Sequence, residues 1–285
     1  MATTAPHRDP RVTGAARAGR WSVNAFTLAL LGLWLFPVYW IFLTSFKTPR
    51  EINAPTPTFL FDPTLENYRD LFTRFAFGRA LTNSFVIVGA TTFLVMVLAL
   101  LAAYALGRLP VPGEKHLALW ILSFRFLPPV AVIIPFYLTW QRLHLLDTHA
   151  GLILIYVAFN LPFAIWMLRG FLVEVPRELD EAATLDGLSH LQIIRRIILP
   201  VIAPGAAVTA IFTFTFAWNE YLMALILTSV DATTVPLTVS KFIQAYSILW
   251  GDVGAAAAIQ LLPILVVVFL LQKQIMRGIT LGAVK

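Results

Sequence analysis

The 285-residue sequence has no cysteine. Disulfides, thiolate zinc sites and cysteine nucleophiles are excluded, and the redox compartment leaves no mark. Charge is scarce too. Asp, Glu, Lys and Arg make up 13% of the chain and hydrophobic residues 59%, against roughly 25% and 45–50% in a soluble domain. So few charges cannot cover a water-facing surface. No Gly-x-x-x-x-Gly-Lys-Ser/Thr phosphate loop occurs, so no ATP-driven motor of that type lies within the chain. None of His7, His116, His144, His149 and His190 opens a His-Glu-x-x-His motif, and no paired carboxylates lie in the apolar runs. A membrane-embedded hydrolase therefore finds no support, and no cofactor or metal bound by this chain is expected. The net charge of +6 is not gathered into a basic cluster interleaved with aromatics, so no nucleic-acid partner is expected.

What the sequence does have is long apolar runs. A membrane-spanning helix needs about 20 mainly apolar residues at ~1.5 Å rise. Six segments meet or approach that length: 26–46, 85–106, 117–140, 152–168, 203–227 and 255–271. The expected fold is all-α, a polytopic membrane protein with about six transmembrane helices in lipid. Residues 1–20 carry Arg8, Arg11, Arg17 and Arg20 among Gly, Ala and Thr and read as a disordered basic cytoplasmic tail. Residues 21–285 form the membrane domain. The first apolar run is too long for a signal-peptide core and lacks a clear cleavage site, so an uncleaved anchor is expected.

Six spans behind a cytoplasmic tail put both termini inside. The inner side then holds thirteen of the 21 basic residues: the four of the tail, Arg108, Lys115, Arg169, Arg177, Arg195, Arg196, Lys273, Arg277 and Lys285. The outer side holds seven, Lys47, Arg50, Arg69, Arg74, Arg79, Arg142 and Lys241, with Arg125 left inside a span. That bias agrees with the positive-inside rule. The proline-rich outer segment 47–82, with a short helix expected near 64–72, reads either as a connector or as a docking surface for an external partner.

Between the fourth and fifth spans, residues 173–200 carry two helix signatures in succession. Pro176 suits a first turn, and Glu178, Asp180 and Glu181 put negative charge at the positive end of a dipole. Leu179, Ala182 and Ala183 share a face. Gly187 suits a left-handed stop. Ser189 and Gln192 form a capping box for a second helix over 190–199, and Pro200 marks the turn into the fifth span.

Glu181-Ala182-Ala183, three residues, Gly187, nine residues, then Ile197-x-Leu199-Pro200 resembles the EAA coupling loop of ABC-importer permeases. In that family the loop fits a cleft on a cytoplasmic ATPase. Asn83-Ser84, Ala102-Ala103-Tyr104-Ala105, Asp147-Thr148, residues 159–164, residues 216–220 and the ending Gly282-Ala283-Val284-Lys285 resemble the maltose-type, carbohydrate-uptake branch. The resemblance implies a type I importer permease of a prokaryotic plasma membrane, with both termini inside. It further implies a second homologous permease, a cytoplasmic ABC ATPase dimer that uses ATP and magnesium, and an extracytoplasmic solute-binding protein. Arg125 departs from the pattern, where relatives carry smaller or neutral residues. A secondary transporter or channel is the alternative; no repeated halves support it, and it needs no docking loop.

Polar residues inside spans are costly and point to function. Arg125 either snorkels to the interface or lines a water-filled path. Pro128, Pro129 and Pro135 break the third span, through packing or because it lines a cavity. Asn219 and Glu220, within Trp218-Asn219-Glu220-Tyr221, either meet headgroup water in an aromatic belt or bond hydroxyls of a passing solute. Asn160 either serves similarly or caps the backbone that Pro162 frees.

Overall fold

The computed structural model describes residues 10–243 and 248–283, with side chains described for 21–243 and 248–272. Regular structure among these residues is helical. The chain divides into two compact units, residues up to Tyr68 with Trp250–Ala258, and Arg69–Leu249 with the residues from Ile259 onward.

In the first unit, helix α1 spans Pro10–Ser45. Thus α1 starts within the segment expected as a disordered tail, while residues 1–9 lie outside the described residues. A short helix, α2 (Pro49–Ile52), opens with a Thr48–Glu51 capping box. Asn67 then donates to the carbonyls of Ser45 (2.8 Å) and Lys47 (2.9 Å), locking the turn that ends α1.

The second unit holds α3 (Glu66–Thr73, from Arg69 onward), α4 (Phe77–Arg108), α5 (Glu114–Ser123), α6 (Pro129–Arg142) and α7 (His149–Val173). It continues with α8 (Glu178–Leu185), α9 (His190–Ile193), a π-helical turn Ile194–Ile198, and α10 (Leu199–Val201). It closes with α11 (Ala203–Trp218), α12 (Leu222–Leu227), α13 (Val235–Ser240) and, from Ile259, α14 (Trp250–Ala283). Helix α3 matches the short helix expected near 64–72.

Among the described residues four helices are long and apolar enough to cross a membrane, within α1, α4, α7 and α14, and two bent helix pairs raise the number to six if each is one span. The fourth expected span, near the short limit, lies within the 25 residues of α7. The third is not one helix. Helices α5 and α6 meet at 89°, because Leu127 and Pro128 each precede a proline and are driven to extended ψ values of 120° and 121°. The expected fifth span is also shorter than read: α11 stops at Trp218, and a second helix, α12, takes over after residues 219–221.

Helices α4 and α7 pack along a seam of small and aliphatic residues, among them Ala99, Ala103, Ala164, Leu168 and Leu172. Small residues let helix backbones approach in lipid, where apolar burial by itself gives little drive. Helix α11 closes on the same core: a Cβ added at Gly205 would run into the Phe171 ring. Only glycine fits there.

Candidate functional site

At the Arg108 end of α4, the 173–200 segment folds as two short helices and a corner. The N–H of Leu188 donates to Ala183 O and that of Gly187 to Thr184 O, both at 3.0 Å. This is the paired C-terminal closure in which the residue after the cap turns left-handed; Gly187 has φ +81°. Ala183 is buried and packs with Leu188, Ile193 and Ile198. Glu181, Ala182 and Leu185 remain exposed, Leu185 by 90%. The next helix starts with the Ser189 N–H donating to Gln192 Oε1 at 2.8 Å. Helix α9 then widens into the π turn, in which Leu199 N–H reaches Ile194 O. In a regular helix the Pro200 ring would clash with the carbonyl four residues back, so the ladder opens one turn earlier. Ile197 is half-buried there, whereas Leu199 and Pro200 are exposed.

Two residues one turn apart on α4 hold this corner. Arg108 Nη2 donates to Leu172 O (3.1 Å) and Val175 O (2.6 Å) at the end of α7. Its Nε stands 2.7 Å from Asp180 Oδ2, with side chains 6% and 13% exposed. The alignment is that of an ion pair without hydrogen-bond geometry. Burial pushes the Asp180 carboxyl above its ordinary pKa, against the pull of Arg108 and Arg177. Tyr104 Oη pairs with His190 Nδ1 at 3.3 Å. Thus α4 grips α8 through Arg108 and α9 through Tyr104.

At the other end of the unit, Asp147, itself at φ +55°, gathers the loop after α12. Its carboxylate accepts the backbone N–H groups of Ser229, Val230, Asp231 and Ala232 at 2.9–3.1 Å and the Ser229 hydroxyl at 2.8 Å. Burial raises its pKa, but the backbone donors of Ala232, Asp231, Ser229 and Val230 outweigh this and hold it well below the ordinary carboxylate value. Asn83 donates to Asp231 O and Thr233 O, Ser84 Oγ accepts from Val235 N–H, and Arg79 pairs with Asp231 at 2.6 Å.

Between these ends lies a cavity of about 200 Å³. Arg125, from the broken third span, and Glu220, from the break between α11 and α12, both line it with Tyr156, Phe159, Asn160 and Phe216. The Arg125 guanidinium donates to Phe159 O at 3.2 Å and sits 4.6 Å over the Phe216 ring. It folds onto the cavity wall. Glu220 accepts from the Met223 and Ala224 N–H groups, capping α12. The Tyr156 hydroxyl lies beside Glu220, yet neither it nor Asn160 Oδ1 makes a well-formed hydrogen bond, although both are buried. Each such atom costs about 1–3 kcal/mol when left unpaired.

The structure thus brings Arg125, Asn160 and Glu220 together but leaves out Asn219, which is exposed and donates to Thr215 O at 2.8 Å. That bond closes the end of α11. Asn160 donates to Tyr156 O, also at 2.8 Å, and not to Ala158 O, the acceptor that Pro162 leaves free. Sequence reasoning did not single out Tyr156, and it read Arg108 only as an inner-side charge and Asp147 only as part of a motif. Asp147-Thr148 and Asn83-Ser84 stood out as motifs, and their pairing with the 229–235 loop explains why. Among the described residues no cluster of His, Cys, Asp and Glu could hold a metal ion.

A family model described as a binding-protein-dependent transport system inner membrane component matches residues 95–281. A trehalose transport system permease protein of Mycobacterium tuberculosis is 38% identical, with 95% of this chain and 99% of that protein covered. A probable ABC transporter permease protein of Sinorhizobium fredii is 39% identical over 93% of each chain. Among solved structures, a chain of a bacterial ABC transporter that imports the acidic polysaccharide alginate superposes with a TM-score of 0.70 at 21% identity, covering 95% of this chain and 99% of its own.

Proposed function

Since the chain belongs to the family of binding-protein-dependent transport system inner membrane components, a set of multi-pass transport subunits, we propose that it carries a sugar or related polyhydroxylated solute across a prokaryotic plasma membrane. The observation that carries this reading is the 173–200 corner. It is fixed on its inner side by Ala183, Arg108 and Tyr104, while Glu181, Ala182 and Leu185 stay uncovered. A corner fixed on one side and open on the other suits a helix that enters a cleft on a partner.

In this reading both termini and the 173–200 loop are cytoplasmic. The loop docks on a separate ABC ATPase dimer, which supplies ATP and magnesium chemistry that this chain lacks. A second, homologous permease completes the pathway, and an extracytoplasmic binding protein delivers the solute. The sugar class is supported by the trehalose permease relative. Purification of the tagged chain from the membranes of its native cell tests the assembly. An ATPase and a second permease should co-purify and hydrolyse ATP, and the chain purified alone should not. Hydrolysis by the clean, isolated chain would overturn the proposal.

A further inference from the structure

We infer that the cavity where the two broken spans meet binds one ring of a neutral, hydroxyl-rich sugar on its way across the membrane. The inference rests on the import reading and adds to it a place and a ligand chemistry within this subunit.

Its walls come from interrupted helices. Arg125 sits in the 3-10 turn Phe124–Phe126 where α5 gives way to α6, and Glu220 sits where α11 gives way to α12. Irregular backbone at membrane depth is tolerated where it lines a cavity or is buried in protein. Here two such breaks face one space, joined by α7 through Tyr156, Phe159 and Asn160.

The polar groups define what the space accepts. Asn160 Oδ1 is an acceptor without a donor, and Tyr156 Oη has no well-formed hydrogen bond, in residues that are 4% and 1% exposed. Native structures leave few such atoms, and each calls for an explanation. Arg125 spends one N–H on Phe159 O and has further donors to offer. A ligand must therefore give hydrogen bonds to Asn160 and Glu220 and take them from Arg125. A hydroxyl does both; a carboxylate, a phosphate or an ammonium does one.

Charge and shape point the same way. One guanidinium and one carboxylate line the cavity without forming an ion pair with each other within 4.0 Å, so their charges balance and an ionic ligand would leave one of them opposed. Phe159 and Phe216 offer apolar ring surfaces against which the C–H face of a sugar ring packs. At about 200 Å³ the space suits a single ring and excludes a longer saccharide lying whole within it.

The assembled importer, with its binding protein, is tested first for uptake of radiolabelled trehalose, maltose and diacetylchitobiose, and of galacturonate as an anionic counterpart. Uptake of no neutral sugar overturns the sugar reading, and this inference with it. With a transported sugar in hand, Tyr156→Phe removes one hydroxyl and keeps the ring. If that hydroxyl serves only the fold, through Glu220 beside it, its loss either leaves transport unchanged or lowers transport only together with thermal stability. If it contacts the sugar, the transport rate at saturating loaded binding protein falls about three- to tenfold, the worth of one hydrogen bond, while thermal stability does not fall. A second readout uses the absence of cysteine: alkylation of Met223→Cys, on the cavity wall, should slow at least threefold with the transported neutral sugar and not with galacturonate. Full transport by Tyr156→Phe, or protection by galacturonate alone, overturns the assignment.

Discussion

Arg108 on α4 and Asp180 on α8 stand 2.7 Å apart at a place where neither is more than 13% exposed. The same guanidinium holds the last carbonyls of α7. One side chain therefore ties two membrane helices to the first helix of the exposed corner. In the proposed assembly, a push on α8 by the ATPase would reach α4 and α7 through this contact.

Removing one partner of a buried pair costs up to about 3–5 kcal/mol, because the other is left uncompensated, whereas an apolar replacement of both is often tolerated; partial exposure of Asp180 lowers that figure. Asp180→Leu and Arg108→Met singly should lower the melting temperature of the purified chain, and the double variant should recover part of the loss. The double variant should still lose ATP-driven uptake, since the strut is gone. Additive losses across the cycle would show that the two side chains do not interact.

Gly187 has open space around its Cα, with nothing within 4 Å of an added Cβ, but its φ is +81°. Backbone strain is thus its whole constraint. Gly187→Val, β-branched at a left-handed position, should strain or re-aim the corner, whereas Gly187→Asn, which tolerates that region, should retain most uptake. Membrane levels of both should match the parent. Equal uptake by the two variants would contradict a conformational role.

A carboxyl with a lowered pKa stabilises the fold above its unfolded value, near pH 4, and that contribution drains as pH falls toward the folded value. Asp147 is such a group. Asp147→Asn should cost about 1–3 kcal/mol at pH 7 through its charge-assisted bonds to the 229–232 backbone. The stability gap between parent and variant should narrow below pH 4. A gap that stays constant from pH 7 to pH 3 would contradict the assignment of the charge.

The apolar runs, the capping box and the Gly187 stop were legible because they are local: each depends on residues within a few positions of one another. Pro128 and Pro129 announced a break but not its angle of 89°, which depends on the backbone values that two successive extended residues, Leu127 and Pro128, actually take. The α11–α12 break carries no proline or glycine. It depends on Glu220 turning back to the Met223 and Ala224 N–H groups, so 203–227 read as one span. Arg108 looked like one more inner-side charge, and Asp147 like half of a motif. Their partners lie 72 and 82 to 85 residues away, beyond any spacing rule.

The orientation rests on the charge bias and is open to labelling. A single cysteine at Ser189, which is exposed at the corner, should react with an impermeant reagent in inverted vesicles and not in intact cells. Labelling from outside would reverse the topology.

The most direct test of the account is the amount of ATPase subunit that co-purifies with Leu185→Glu. Leu185 is 90% exposed, so the substitution costs the isolated chain little, yet it puts a charge on the face proposed to enter the partner's cleft. The account predicts parental membrane levels and melting temperature with at least a tenfold loss of bound ATPase and of uptake. Parental recovery of ATPase together with parental uptake would contradict it.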